Sequence, residues 1–227
     1  NSLIKNYCSK KKKINGKYSY LHCNIGKLPN TASQLFLLKD IFSTLIDSFI
    51  DNKVGIAENF LPAQLANDLK NNLIRLYTDK HLLHAGTGND TIVVHNKLIR
   101  SDIIYWLDKK HNDQHENDFF DLMDSFVCFL NSSCYTGITG YEFHYTLYEP
   151  GSFYKKHIDQ FRNNDSRQYS IIMYLNTEWE KEDGGELRIH HTNSIQNISP
   201  VNGKMVFFKS NELAHEVLVT NKLRMSI

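Results

Sequence analysis

Three side chains in the C-terminal half of the sequence have the types and spacing to share one metal ion. His157-Ile158-Asp159 sets an imidazole and a carboxylate two residues apart. In an extended chain such residues project from the same face, so both can reach one cation. A third donor, His215, opens the apolar stretch Glu216-Val217-Leu218-Val219. Two histidines and one carboxylate make a ligand set suited to Fe(II), with positions left for a co-substrate and O₂. Nine residues beyond His215 stands Arg224. A dicarboxylate that chelates iron through a keto-acid end needs a cation at its far end. A guanidinium can grip that carboxylate with two parallel hydrogen bonds. Alone, Arg224 reads as a surface arginine; as the partner of His215 on an adjoining strand, it is the expected anchor.

The His-x-Asp spacing is weak on its own. With 11 histidines and 25 acidic residues in 227, chance predicts about one His-x-Asp/Glu. His111-Asn112-Asp113 is a second instance, inside the polar stretch from Lys109 to Asp118, and reads as a solvated loop. His111 and His115 read as a surface pair rather than a metal site. His190-His191 and His81 with His84 also read as structural, because adjacent residues of a strand point to opposite faces.

The elements that must position these residues change character along the chain. Residues 1 to 30 are polar and rich in Lys and Asn, which predicts an arm, with Lys10 to Lys13 as a solvated basic run. From Ser33 the residues Leu35, Leu38, Phe42, Leu45, Ile46 and Phe49 recur at helical spacing. Val54-Gly55-Ile56-Ala57 predicts a short strand. A second helix is expected from Pro62 to Tyr77, with Pro62 in its first turn. His84 to Asp90 reads as a loop, Ile99 to Leu107 as an exposed strand, and Phe119 to Leu130 as a third helix. After that come short aromatic and β-branched runs bounded by Gly, Pro, Asn and Asp: Tyr141 to Tyr148, Ser170 to Leu175, Glu186 to His190, Lys204 to Phe208 and Glu216 to Val219. Helices first and strands after predict an α+β chain, a jelly-roll double sheet buttressed by N-terminal helices. The expected organisation is an arm (1–30) and a single domain (31–227), with helical support over 31–135 and a jelly-roll core over 136–227.

Bulk properties narrow the function classes. A formal net charge of +1 with 22% charged residues gives no field that attracts nucleic acid or an acidic membrane. Cysteines at 8, 23, 128 and 134 form no Cys-x-x-Cys pair. That argues against zinc ribbons and disulfide scaffolds, and leads us to expect a reducing, cytoplasmic setting. No apolar run approaches the roughly 20 residues of a membrane span, and the polar N-terminal stretch predicts no secretory signal.

An ordered series of motifs resembles one family. Tyr148, Gly151, Tyr154, His157 and Asp159 match Tyr-x-x-Gly-x-x-Tyr-x-x-His-x-Asp. Tyr174-Leu175-Asn176 with Trp179 follows, then Gly184-Gly185-Glu186-Leu187-Arg188-Ile189, Phe207-Phe208, His215-Glu216-Val217 and Arg224. From about Lys97 to its end the chain resembles the prolyl hydroxylases of the hypoxia-sensing and SM-20 type, within the 2-oxoglutarate oxygenases. The resemblance implies a double-stranded β-helix core. It implies Fe(2+) held by His157, Asp159 and His215, and 2-oxoglutarate held by Arg224 with the hydroxyls of Tyr148 and Tyr174. Without it, both tyrosines read as sheet packing.

Also implied are dioxygen as oxidant, ascorbate as reductant, and a prolyl residue of a protein or peptide as the hydroxylated partner. Two segments concern that partner. Ile99-Arg100-Ser101-Asp102 with Trp106 resembles the flank of the family's mobile substrate loop, and Asp165-Ser166-Arg167 resembles its Asp-Gly-Arg. Asp102 and Arg167 are therefore expected to pair across the site's mouth. In the family the last strand continues past the arginine with a Thr and a Trp, whereas this sequence ends at Ile227. Three other readings stand beside this one. They are a hydroxylase of a free amino acid or small metabolite, a non-catalytic jelly-roll binding module, and a nucleic-acid demethylase, which the near-neutral charge disfavours.

Overall fold

The computed structural model describes residues 32–86, 98–160 and 167–227. The predicted 1–30 arm with its lysine run and Cys8 and Cys23, most of the loop after His84, and Asp165 with Ser166 lie outside them. The helices are α1 (Ala32–Asn52), α2 (Ala63–Thr78) and α3 (Gln114–Ser133). Among the described residues, no helix is long and apolar enough to cross a membrane.

Two compact units divide the chain. One combines the described residues before Ser43 with Asp108–Glu142. There Phe42 of α1 packs on Phe126 and Phe129 of α3, with ring centroids 5.0 and 5.6 Å apart. α3 begins five residues earlier than its apolar pattern suggests, because Asp113 caps it: its carboxylate accepts the backbone N–H groups of His115 and Glu116 at 3.0 Å. Such a cap contributes about 1 kcal/mol. The stretch from Lys109 to Asp118 is therefore a 3-10 turn leading into a helix, not a solvated loop. His111 is turned to buried Glu116 at 3.2 Å.

The second unit, Ser43–Leu107 with Phe143–Ile227, carries all the strands of the described residues. In chain order they are β1 (Val54–Ala57), β2 (Leu83–His84), β3 (Ile103–Trp106), β4 (His144–Tyr148), β5 (Tyr154–His157) and β6 (Tyr169–Met173). Then come β7 (Leu187–His190), β8 (Ile195–Ile198), β9 (Met205–Lys209), β10 (Ala214–Val217) and β11 (Arg224–Ser226). All ladders are antiparallel, in the orders β1-β9-β6, β5-β10-β7-β8 and β11-β4-β3-β2.

The first and third sheets join. Met173 and Ile227 exchange both backbone hydrogen bonds at 2.8 Å, and the Leu175 N–H donates to the Met225 carbonyl at 3.1 Å. The result is one broad sheet opposite the four-stranded β5-β10-β7-β8 sheet, the double-sheet arrangement of a jelly roll. Tyr148, Tyr174, Leu187, Val206, Phe208 and Val217 are among the residues that fill the space between the two.

Several local expectations change. Pro62 sits at the N-cap of α2, with φ −52° and ψ 137°, one residue before the helix. β3 is interior and half-buried rather than exposed, since β4 and β2 flank it. His215 lies inside β10 rather than opening it. The strands β5, β8 and β11 are too short and too polar to stand out as periodic runs; β5 reads Tyr-Lys-Lys-His.

Candidate metal and co-substrate site

The sheet ladder brings the two histidines together. His157 and His215 are direct partners across β5 and β10. Paired residues of an antiparallel ladder project from the same face, and here the ring centroids are 4.3 Å apart. Next to this pair the register slips, with an extra residue on β5. Such a bulge re-aims a side chain, and the Tyr154 ring lies stacked on His157 at 3.6 Å.

Asp159, just past β5, completes the group. Its Oδ1 is 3.4 Å from His157 Nε2 and 3.6 Å from His215 Nε2. Among the described residues this trio alone groups metal-ligand atoms, all within 4.8 Å of one another. Each Nδ1 is committed elsewhere, His157 to the Lys155 carbonyl at 2.7 Å and His215 to the Leu213 carbonyl at 3.1 Å. A carbonyl only accepts, so each Nδ1 carries a proton, and Nε2 is the nitrogen each ring has for a metal.

Burial works against charge on Asp159, but the hydrogen bonds and charges of both histidines outweigh it and hold its carboxyl well below the usual range. Burial likewise opposes a charged His215, and the Asp159 carboxylate outweighs it, lifting the imidazole's pKa. A carboxylate facing two inward imidazole nitrogens is a site a divalent cation can enter.

Arg224 comes from a different place than expected. Its strand, β11, adjoins β4 and not the strand of His215. It faces the interior from the broad sheet, 1% exposed. Its Nε donates to the Gly185 carbonyl at 2.8 Å, and Nη1 reaches Ser226 Oγ at 3.5 Å. The guanidinium lies 4.9 Å from the Tyr148 ring and 5.1 Å from the Tyr174 ring. Its Nη2 and the Tyr174 hydroxyl are buried with no hydrogen-bond partner among the described residues. Unsatisfied buried donors of this kind are costly, and an oxyanion satisfies both. Burial keeps both tyrosines protonated: Tyr174 is pushed up to about 12 and Tyr148 well above its ordinary value.

Two features fix that guanidinium, and neither stood out as a site residue in the sequence. Gly185, at φ +65°, leaves room where a Cβ would come within 3.1 Å of Arg224 Cδ. The buried Asn176 amide accepts from the Met225 N–H at 2.7 Å and donates to the Met225 carbonyl at 3.1 Å and the Pro200 carbonyl at 2.8 Å. It acts as a strand partner for the residue next to Arg224.

The substrate-side expectations fare differently. Asp102 is 1% exposed and does not pair with Arg167. Both its oxygens are taken by Arg100, at 2.7 and 2.5 Å. A buried carboxylate needs an immediate counter-charge, and Arg100, two residues away, supplies it while lying 4.3 Å over the Tyr154 ring. The i, i+2 spacing of Arg100 and Asp102 was a readable signal. Arg167 is exposed, and its charge, with those of Asp102 and Arg100, acts on His144. Trp106, half in solvent, meets the His144 ring edge-on at 4.9 Å. His190 and His191 turn to Glu216 and Gln196, away from the metal trio. His81 and His84 are exposed.

Comparison with known proteins agrees with this geometry. The sequence model of the 2OG-Fe(II) oxygenase superfamily matches residues 143–227. A prolyl-4-hydroxylase from Pseudomonas putida is 31% identical, with a TM-score of 0.73 over 82% of this chain and 95% of that one. A prolyl hydroxylase from Trichoplax adhaerens, solved with a hypoxia inducible factor oxygen degradation domain peptide fragment, is 22% identical. Its TM-score is 0.76, over 87% of this chain and 91% of that one. The fold extends to the non-heme alpha ketoglutarate dependent epimerase SnoN from nogalamycin biosynthesis, 10% identical, with a TM-score of 0.58 over 85% of this chain and 81% of that one.

Proposed function

Because the chain belongs to the 2OG-Fe(II) oxygenase superfamily and is prolyl hydroxylase-like within it, we propose that it hydroxylates a prolyl residue in a peptide or protein. Its chemistry is that of a 2-oxoglutarate-dependent dioxygenase using Fe(2+). The observation that carries the residue assignment is the buried Arg224 guanidinium, whose Nη2, like the nearby Tyr174 hydroxyl, has no hydrogen-bond partner among the described residues. That pair fits the distal carboxylate of 2-oxoglutarate, and His157, Asp159 and His215 fit the metal.

When bound, iron supplies the oxidising chemistry, in which 2-oxoglutarate and O₂ give succinate and CO₂ and one oxygen atom enters a substrate C–H bond. The chain contributes holding and shielding. The Leu213 and Lys155 carbonyls fix the imidazole tautomers. Arg224 and Tyr174 orient the co-substrate, with Tyr148 as a wall of its pocket. Buried Phe208, edge-on to His215 at 4.9 Å, keeps that side dry. Arg100, Asp102, Trp106 and Arg167 belong to the substrate's side of the site. The prolyl target is supported by the 31% identity with the Pseudomonas putida prolyl-4-hydroxylase.

Succinate release tests this reading. The protein is reconstituted anaerobically with Fe(II) and 2-oxoglutarate and then exposed to air, with and without proline-containing peptides, as wild type and as His157→Ala. Peptide-stimulated turnover that vanishes in the variant is the expected result. Turnover that peptides leave unchanged but free proline stimulates would replace the peptide target by a small molecule.

A further inference from the structure

We propose that Ser170 and Ser210 form a positioning relay that holds Asp159 with Oδ1 turned to the metal. This rests on the assignment of His157, Asp159 and His215 as the metal ligands. The two carboxylate oxygens have different partners. Oδ1 faces both imidazole nitrogens, at 3.4 and 3.6 Å. Oδ2 accepts the Ser170 hydroxyl at 2.5 Å, a short charge-assisted bond. Ser170 Oγ in turn lies 2.9 Å from Ser210 Oγ. Since Ser170 gives its hydrogen to the carboxylate, Ser210 is the donor of that second bond.

The serines of the relay are largely shielded from solvent. Ser210 is fully buried and Ser170 is 9% exposed. The backbone of Ser210 is pinned on both sides: its N–H donates to the Gln168 carbonyl at 3.0 Å, and its carbonyl accepts the Gln160 N–H at 3.1 Å. Ser170 belongs to β6 of the broad sheet, whereas Asp159 follows β5 of the opposite sheet. The hydrogen bond therefore spans the two sheets and ties the carboxylate ligand to the sheet that also carries Arg224.

The chemical consequence follows from ligand orientation. A carboxylate left free at Oδ2 can rotate Oδ1 away from the two imidazole nitrogens and must be re-ordered before it binds a metal. Held through Oδ2, Asp159 already presents Oδ1. Hydrogen bonds to ligand carboxylates of this kind contribute on the order of 10–100-fold in metal affinity.

Mn²⁺ binding, followed by the loss of the free ion's EPR signal without turnover, separates the possibilities. Metal-free melting of each variant confirms that it folds. Ser170→Ala is expected to weaken Mn²⁺ binding by about 10–100-fold, Ser210→Ala by less, and Ser170→Thr, which keeps the hydroxyl, to restore it. Wild type that binds Mn²⁺ with Ser170→Ala binding equally well would overturn the relay alone. Wild type that fails to bind Mn²⁺ would overturn the ligand assignment itself. Ser170→Thr that folds but binds as weakly as Ser170→Ala would also remove the hydroxyl from the explanation.

Discussion

The metal corner and the Arg224 pocket face the same interior and are built on opposite principles. In the corner, the polar atoms not aimed at the cation are satisfied by protein: each histidine Nδ1 by a carbonyl, and Asp159 Oδ2 by Ser170. In the pocket, Arg224 Nη2 and the Tyr174 hydroxyl are buried without partners among the described residues. The first region is oriented by its own hydrogen bonds. The second holds its donors ready for an anion and bears the cost of leaving them unpaired. The difference teaches that ligand geometry and ligand demand rest on different side chains, so they can be disturbed separately.

The sharpest way to separate the two regions is to remove one histidine. His215→Ala is expected to lower succinate formation by about 10³-fold or more and to abolish Mn²⁺ binding, measured by EPR. Arg224→Gln comes next. Losing a charge-assisted contact to a buried anion costs about 2–3 kcal/mol, which raises the KM for 2-oxoglutarate roughly 30–150-fold. Its Mn²⁺ affinity is expected to stay at the wild-type value. A matching loss of metal binding in Arg224→Gln would show that the regions are not independent.

A subtler change is Asn176→Ala, which takes the amide partner from the Met225 N–H and the Pro200 carbonyl, while the Met225 carbonyl keeps the Leu175 N–H. The expected destabilisation is about 1–3 kcal/mol by denaturant unfolding. Part of it should reappear as a raised KM for 2-oxoglutarate with little change in kcat.

The smallest effect concerns the buried phenol. Tyr174 is raised from 10.0 to about 12 by burial, partly opposed by Arg224. A raised folded-state pKa contributes stability that is fully present below pH 10 and is lost as pH rises through about 12. Tyr174→Phe should flatten the decline of stability across that window in alkaline unfolding curves, and should change little at neutral pH.

The site was only partly legible in the sequence. The His157 and Asp159 spacing could be read because period-two geometry is local, and the ordered motifs pointed to Arg224 and the tyrosines. Arg224 was expected beside the His215 strand, but it reaches the interior from β11 against β4. A three-residue strand carries no periodic signal, so its sheet could not be inferred. Arg100 as the partner of Asp102 was missed for a related reason. The nearer cation, Arg100, neutralises a carboxylate whose burial the sequence does not reveal. Ser170 and Ser210 gave no warning, because a lone serine looks the same whether it meets water or a ligand; Asn176 stood in the Tyr174-Leu175-Asn176 motif, but nothing there showed that its amide would bond Met225.

The sequence by itself determined what depends on neighbours a few residues apart: the apolar faces of α1 and α2, the jelly-roll class, and the types of the metal ligands. Only the tertiary structure decided what depends on strand register and burial. Register set His157 opposite His215. Burial left Arg224 Nη2 and the Tyr174 hydroxyl without partners among the described residues and closed the serines around Asp159. Ladder pairing joins residues far apart in the chain, and solvent exclusion is a property of the packed sheets together.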